Sequence, residues 1–312
     1  MKTRILAVVG PTASGKSALA IELAKRFDGE IICCDSMQIY KQMNIGTAKP
    51  DADELSEATH HLFDFADPFE SFSCADYIPL AERTVDDIAT RGNLPVFCGG
   101  TGLYLDRFLS GADFEATEID DTFRREMENF ARENGNEALH EKLREIDPES
   151  ADEIHPNNVK RVIRALEIYK TSGRRKSELD RESKSFESKY EAIQIGIKYT
   201  DREILYNRIN LRVDKMLEAG LLEETKCLMD AGAFEKNATA AQAIGYKELL
   251  SYFRGEKTLI EAVEDLKCAT RRYAKRQLTW FNSHGNVIWL EADGKTLNEL
   301  ADEAEKIVKE HF

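Results

Sequence analysis

The chain has 312 residues, of which 42% are hydrophobic and 32% charged, and its formal net charge at pH 7 is −14. This length and apolar content can build one large domain or two. No apolar run approaches membrane-spanning length and the first residues lead directly into a predicted strand, so we expect a cytoplasmic protein with no signal peptide and no membrane association.

The first predicted elements are a buried strand at 4–9 and a helix at 16–27, joined by a glycine-rich loop. The loop matches the pattern GxxxxGK[ST] and consists of Gly10, Pro11, Thr12, Ala13, Ser14, Gly15, Lys16 and Ser17. Its amides, the helix dipole and the Lys16 ammonium can cradle a diphosphate, and the Ser17 hydroxyl can bind Mg²⁺. The sequence therefore predicts a phosphorylated ligand with Mg²⁺ as cofactor.

Strand and helix patterns alternate through the N-terminal third, with further strands predicted at 30–34 and 94–98 and a helix at 75–91. This alternation predicts an α/β fold with a P-loop NTPase-like parallel sheet and flanking helices. Because ligands collect at the carboxyl ends of parallel strands, we expect the phosphate loop, Asp35 and Thr101 to share one edge of the sheet.

Asp35 closes the 30–34 strand and is a candidate general base. A motor or switch NTPase needs an acid that positions Mg²⁺ or water. The 94–98 strand, which could supply that acid, ends instead in Gly99-Gly100-Thr101. An aspartate one strand along from the phosphate loop suits the deprotonation of an acceptor nucleophile; its alternative role is to cap a turn.

The pattern changes after Gly111, and we predict a helical insertion at 112–190 within a core domain made of 1–111 and 191–312. Helices are predicted at 121–134, 136–145 and 157–170, with another starting at Asp147-Pro148. The polar segment 171–190 is predicted to be a mobile linker.

Charge is distributed unevenly along the chain. Residues 113–153 contain 15 acidic and 5 basic side chains, whereas 155–184 contain 9 Lys/Arg and 4 Asp/Glu, and 267–276 contain five Lys/Arg and no acid. A polyanion responds to charge within about a Debye length of ~8–10 Å, so the basic clusters favour nucleic acid despite the acidic total. Solvated helix faces are the alternative.

The C-terminal part is predicted to be mainly helical, with strands at 191–199 and 287–290 that complete the sheet. Capping boxes are predicted at Thr200/Glu203, Thr258/Glu261 and Thr296/Glu299. The six cysteines have no CxxC spacing, which argues against a zinc or disulfide framework and fits a reducing compartment.

Several motifs resemble those of the tRNA dimethylallyltransferases, also called tRNA isopentenyltransferases, and they follow one another in order over nearly the whole chain. They are residues 10–17, 35–40, 44–50, 60–62 with 67–68, 99–104, 155–161, 164–167, 242–248 and 270–281. A shared phosphate loop alone would not produce this succession.

The resemblance implies transfer of a prenyl group from dimethylallyl diphosphate to N6 of adenosine at tRNA position 37, beside the anticodon, with release of diphosphate. It implies that Asp35 is the general base and that Thr101 helps to hold the amine or the departing oxygen. The phosphate loop would bind the leaving diphosphate, with Mg²⁺ on Ser17. Arg208 would contact the pyrophosphate, although Arg212 lies one turn away and a surface pair is the alternative.

The resemblance also implies contacts with the tRNA anticodon loop, and we expect the enzyme to act as a monomer. The implied contacts are Asp35, Ser36, Met37, Gln38, Thr101, Arg124, Lys160, Arg161, Val162, Ile163, Arg164, Gln242, Ala243, Ile244, Gly245, Tyr246 and Lys247. An exposed helix charge is the alternative for Arg124, and a solvated helix face for the basic residues of 160–164.

Some features depart from the family pattern or leave other functions open. Asn282 stands where bacterial relatives usually place an arginine, nothing matches the zinc finger of eukaryotic relatives, and His60-His61 is predicted to be structural. The alternatives are a small-molecule kinase of the shikimate or gluconate kinase type and an RNA-binding module regulated by its nucleotide loop.

Overall fold

The computed structural model describes residues 2–111, 120–185, 188–284 and 286–312. It divides into two compact units. The sheet unit comprises Met1–Leu109 and Lys189–Phe312, and the helical unit comprises Ser110–Ser188.

The sheet unit contains a six-stranded parallel sheet, which confirms the predicted α/β class. Its strands are β1 (Thr3–Val9), β2 (Gly29–Cys33), β3 (His60–His61), β4 (Leu94–Gly99), β5 (Tyr190–Lys198) and β6 (Val287–Glu291). Their spatial order is β3-β2-β4-β1-β5-β6, and neighbouring strands pair in parallel. The short strand β3 was not predicted, since two residues carry no alternation to recognise.

Helices cover both faces of this sheet, as buried parallel strands require. The first four are α1 (Lys16–Arg26), α2 (Ala52–Glu57), α3 (Cys74–Thr90) and α4 (Gly102–Ser110). Successive β1 side chains point to opposite faces: Leu6 and Val8 pack in the cluster that contains Leu19 and Leu23 of α1. Ile5, Ala7 and Val9 pack in the cluster that contains residues of α3 and α4.

The helical unit has its own core. Its helices are α5 (Asp121–Asn134), α6 (Asn136–Ile146), α7 (Pro148–Glu153), α8 (Val159–Ser172) and α9 (Lys176–Ser185). Leu139, Leu143, Val162 and Leu166 are buried together, so α6 and α8 face each other.

The linker predicted at 171–190 is wrong over residues 176–185, which form α9. Asp147 caps α7 as predicted, accepting a hydrogen bond from the Ser150 N–H. Its Oδ2 also accepts from the Ser177 N–H at 3.0 Å, which attaches the start of α9. Because a polar hydrogen bond attaches this helix, the sequence shows no hydrophobic periodicity that would have predicted it. Residues 186 and 187 of the predicted linker lie outside the described residues.

The remaining helices belong to the sheet unit. They are α10 (Arg202–Glu218), α11 (Leu221–Asp230), α12 (Ala233–Lys236), α13 (Lys247–Phe253), α14 (Leu259–His284) and α15 (Leu297–His311), with a 3₁₀ turn at Ala240–Gln242. Among the residues that the structure describes, no helix is long and apolar enough to cross a membrane.

Two of the three predicted capping boxes are present. Thr258 and Glu261 exchange side-chain and backbone hydrogen bonds, as do Thr296 and Glu299. The box at Thr200 is wrong: Asp201 caps α10 by accepting from the Glu203 N–H. The Thr200 N–H instead donates to Asp293 at 2.8 Å, because the loop before α15 packs there.

Candidate active site at the carboxyl ends of the strands

A pocket of about 570 Å³ lies in the sheet unit, where the carboxyl ends of β1, β2 and β4 meet. Its basic lining residues are Lys16, Arg212, Lys247, Arg272 and Arg276, and its acidic ones are Asp35 and Glu248. Five basic against two acidic side chains make the pocket cationic in a chain whose net charge is −14. Such a pocket attracts an anionic ligand.

The phosphate loop has the backbone that its glycines predict. Gly10 and Gly15 have φ values of +143° and +98°, and a Cβ on Gly10 would lie 3.0 Å from the Ile197 carbonyl oxygen. Thr12, Lys16 and Ser17 line the pocket. Burial lowers the pKa of the Lys16 ammonium and Arg212 lowers it further, whereas Asp35 raises it. An anion bound here would relieve the repulsion between the two desolvated cations.

Asp35 and Thr101 are brought together because β2 and β4 remain paired beyond their ends. The Cys34 N–H donates to the Cys98 carbonyl at 2.8 Å, and the Thr101 N–H donates to the Cys34 carbonyl at 3.1 Å. This approach needs glycine at 99, where a Cβ would lie 1.9 Å from the Cys34 oxygen.

The two side chains then take different positions. Asp35 lines the pocket, and its Oδ1 accepts from the Met37 N–H at 2.9 Å. Asp35 therefore both caps a turn and lines the pocket. The Thr101 hydroxyl accepts from the Ser36 N–H at 3.0 Å, which fixes the turn beside Asp35. Ser36, Met37 and Gln38 also line the pocket.

Gln277 of α14 connects the phosphate loop to the turn that follows β4, and the sequence analysis did not identify it. Its Oε1 accepts from the Thr12 N–H at 2.8 Å, and its Nε2 donates to the Gly100 carbonyl at 3.0 Å. The side chain is 4% exposed. The available signal was a polar residue at a helical spacing of three and four from Ala274 and Phe281, which share the buried face of α14.

The two arginines of α10 have different surroundings. Arg208 donates from Nε to the Ala13 carbonyl at 2.8 Å, and its guanidinium lies 5.6 Å from the centre of the Tyr199 ring. Arg212 lines the pocket. Burial lowers the pKa of Arg212, and Asp35 opposes that shift. The structure thus places Arg212 in the pocket and Arg208 against the phosphate-loop backbone.

The segment 242–247 contributes one wall of the pocket, but not through every residue. Gln242, Ala243, Ile244, Gly245 and Lys247 line it. The Tyr246 ring is fully buried and its hydroxyl donates to Glu224 at 2.7 Å. The Tyr246 ring therefore supports the wall from behind, and the contact of residue 246 with tRNA stays a prediction.

In the helical unit, the segment 160–164 divides between surface and core. Lys160 and Arg161 are exposed. Val162 and Ile163 are 0% and 3% exposed, respectively, and belong to the core of the unit. The two side chains therefore belong to the core, because successive residues of a helix point in different directions, and the contacts of 160–164 with tRNA stay a prediction.

Arg124 and Arg164 share one buried carboxylate. Glu167, whose side chain is 0% exposed, lies 2.8 Å from Arg124 Nε and 2.5 Å from Arg164 Nη1. It also accepts from the Asp120 N–H at 2.9 Å. Arg124 therefore connects α5 to α8 through Glu167, and its contact with tRNA stays a prediction.

The two adjacent histidines have separate surroundings. His60 lines the pocket, and its ring packs edge-on against Phe63 with 5.4 Å between the ring centres. His61 Nε2 lies 2.6 Å from Glu30 Oε2. Within the described residues, no group of three or more His, Cys, Asp or Glu side chains could hold a metal ion.

The parallel sheet, the phosphate loop and the pocket at the strand ends define an α/β protein of the P-loop type. A family model described as IPP transferase matches residues 38–284, and one described as isopentenyl transferase matches residues 3–65. The chain belongs to the tRNA dimethylallyltransferase family, as its motifs indicated.

Individual relatives agree with this assignment. The tRNA dimethylallyltransferase of Acetivibrio thermocellus is 50% identical over 98% of this chain and 95% of its own length. A crystal structure of the full-length tRNA isopentenylpyrophosphate transferase from Bacillus halodurans is 44% identical, covers 99% of this chain and 96% of its own, and has a TM-score of 0.73. A eukaryotic dimethylallyltransferase acting on tRNA is 28% identical, with a TM-score of 0.80 over 99% of this chain and 80% of its own.

Proposed function

We propose that the chain transfers a dimethylallyl group from dimethylallyl diphosphate to N6 of adenosine 37 in tRNA and releases diphosphate. The observation that carries this proposal is the cationic pocket at the strand ends, which contains a phosphate loop and the carboxylate of Asp35 together. No comparison supports the alternative of a small-molecule kinase.

The leaving diphosphate is bound by the phosphate-loop amides, Lys16 and Arg212. Both side chains line the pocket and are desolvated. As the bond between the allylic carbon and oxygen breaks, negative charge grows on the diphosphate, and fixed donors in a dry site stabilise it most at that moment.

Asp35 acts on the acceptor. The lone pair of adenine N6 is delocalised into the ring, which makes N6 a poor nucleophile. One N6 proton must therefore leave as the new bond to carbon forms. Asp35 takes that proton, and such a base contributes about 10²–10⁴-fold to a rate. Its bond with the Met37 N–H fixes the carboxylate, while Thr101 fixes the adjoining turn.

The adenosine leaves the anticodon stack to reach this pocket, as enzymes that act on a base require. The pocket wall of 242–247 meets the base, and the exposed Lys160 and Arg161 provide phosphate contacts.

Mg²⁺ fits the chemistry of the donor set. Ser17 lines the pocket next to Lys16 and carries a hydroxyl, and Mg²⁺ commonly takes few protein oxygens and fills its shell with phosphate oxygens and water. When bound, the ion would add positive charge beside the diphosphate.

We further propose a cytoplasmic monomer. Cys33, Cys34 and Cys98 are buried free thiols, as a reducing compartment allows. One chain supplies both the phosphate loop and Asp35, so the pocket needs no residue from a second copy.

The test incubates the protein with unmodified tRNA and either labelled dimethylallyl diphosphate or γ-labelled ATP. We expect prenyl label on adenosine 37 in nuclease digests, none from ATP, and strong loss of transfer in Lys16→Met. Phosphate transfer from ATP to a metabolite would favour the kinase, and tRNA binding without any transfer would favour the binding module.

A further inference from the structure

Glu224 of α11 accepts hydrogen bonds from three successive backbone amides far away in the sequence. Its carboxylate lies 2.9 Å from the Asn44 nitrogen, 2.9 Å from that of Ile45 and 3.0 Å from that of Gly46. These donors lie 178 to 180 residues away from it. Successive amides that converge on one carboxylate form charge-assisted bonds, which are stronger than neutral ones.

A fourth donor connects the same carboxylate to the pocket wall. The Tyr246 hydroxyl donates to Glu224 Oε1 at 2.7 Å. Burial raises the pKa of Tyr246, and the negative charge of Glu224 raises it further. The tyrosine therefore remains a protonated donor at neutral pH.

The two segments that Glu224 connects, 44–46 and the one that contains Tyr246, are closely packed against each other. A Cβ on Gly46 would lie 2.4 Å from Cζ of Tyr246, and one on Gly245, whose φ is +110°, would lie 3.2 Å from the Gly46 oxygen. On the other side, Gln38 Nε2 donates to the Thr47 and Ala48 carbonyls at 3.0 and 2.9 Å. The loop 44–48 is thus held between Gln38 and Glu224.

We infer that Glu224 is a positioning residue for the acceptor wall, defined as Gly46, Thr47, Gln242, Ala243, Ile244, Gly245 and Lys247. All of these residues line the pocket, whereas Glu224 itself does not. The inference rests on the proposed function, in which this wall receives the tRNA nucleotide. Glu224 affects the binding and reaction of tRNA by positioning this wall, and it does not alter the diphosphate site.

The experiment compares Glu224→Gln with Glu223→Gln, a matched change at the exposed neighbour on the same helix. The amide keeps the size of the side chain, removes its charge and replaces one accepting oxygen by an NH₂ group that cannot accept from the backbone amides. We expect kcat/KM for tRNA to fall about 10–100-fold, the range for bonds to a charged group. The KM for dimethylallyl diphosphate should stay within about twofold, and Glu223→Gln should match the unaltered chain.

Tyr246→Phe removes one of the four donors and provides a second, milder variant. We expect about a threefold to tenfold loss in kcat/KM for tRNA, and a double variant with Glu224→Gln that loses less than the product of the single losses, since both changes break the same bond. If Glu224→Gln does not fold, Tyr246→Phe alone decides.

Equal losses for both substrates, in step with a lowered Tm, would assign Glu224 to general stability and overturn the inference. Unchanged tRNA kinetics in both variants would overturn it as well. The tRNA Kd, measured without donor, should rise in Glu224→Gln. If the unaltered chain binds tRNA but transfers no prenyl group, the proposed function fails, whereas an active unaltered chain with unaffected variants refutes only the role of Glu224.

Discussion

The edge of the sheet and the helical unit hold their candidate site residues in place by different means. At the sheet edge, backbone hydrogen bonds bring the ends of β2 and β4 together, and the Asp35 side chain extends from there into the pocket. In the helical unit, a side chain fixes side chains, since buried Glu167 holds both Arg124 and Arg164. Where the backbone positions a residue, the sequence shows it through strand patterns and glycines. Where a distant side chain does so, the sequence shows no such pattern.

The largest expected effect is at the sheet edge. Asp35→Ala should lower the transfer rate by about 10²-fold or more with little change in tRNA affinity, because a general base acts in the reaction step. The measurement is single-turnover transfer together with tRNA binding.

Asp67→Ala is the matched control. Asp67 is exposed and accepts from the N–H two residues on, as Asp35 does, but outside the pocket. Collapse of tRNA binding with intact turnover in Asp35→Ala would make Asp35 a recognition residue only.

The arginine pair of α10 gives the next largest effect. Arg212→Gln should raise the KM for dimethylallyl diphosphate by about 10–100-fold, since it removes a desolvated cation from the pocket. Arg208→Gln should change it less, because Arg208 contacts the Ala13 carbonyl. The reverse ranking, measured in donor titrations, would make Arg208 the diphosphate contact.

On the helical unit, replacing Lys160, Arg161 and Arg164 by Ala should weaken the salt dependence of tRNA binding. The slope of log K against log [salt] becomes shallower by about 0.7–0.9 for each phosphate that is no longer neutralised by a basic side chain. Arg125→Ala with Arg132→Ala, two exposed arginines of α5, is the control. An unchanged slope would mean that none of the three residues neutralises a phosphate of the tRNA.

The smallest effect concerns Glu167 and pH. Burial raises its pKa, but hydrogen bonds from Arg124, Arg164 and the Asp120 N–H outweigh burial and hold it below the ordinary 4.5. Its contribution to stability is therefore fully present above that value and disappears as pH falls through the lower folded-state pKa. The Tm difference between Glu167→Gln and the unaltered chain should be largest near pH 7 and shrink below pH 4.5. A Tm difference that stays constant across this range would contradict the expectation.

The sheet, the phosphate loop and the meeting of Asp35 with Thr101 could be predicted because strand pattern, glycine and the carboxyl-end rule are local signals. Gln277 and Glu224 could not, since each connects segments that only folding brings together. The burial of Tyr246, Val162 and Ile163 could not be predicted either, since a tRNA-binding segment taken as a continuous run includes side chains that point into the core.

The distribution of the thiols has a practical consequence. Of the six cysteines, all within the described residues, Cys227 alone is exposed. Burial raises the pKa of Cys33 and Cys34, and that of Cys74 to about 11, so these groups resist alkylation near neutral pH. A maleimide fluorophore should attach first at Cys227, one helical turn from Glu224, and report from the native chain on the loop that Glu224 holds.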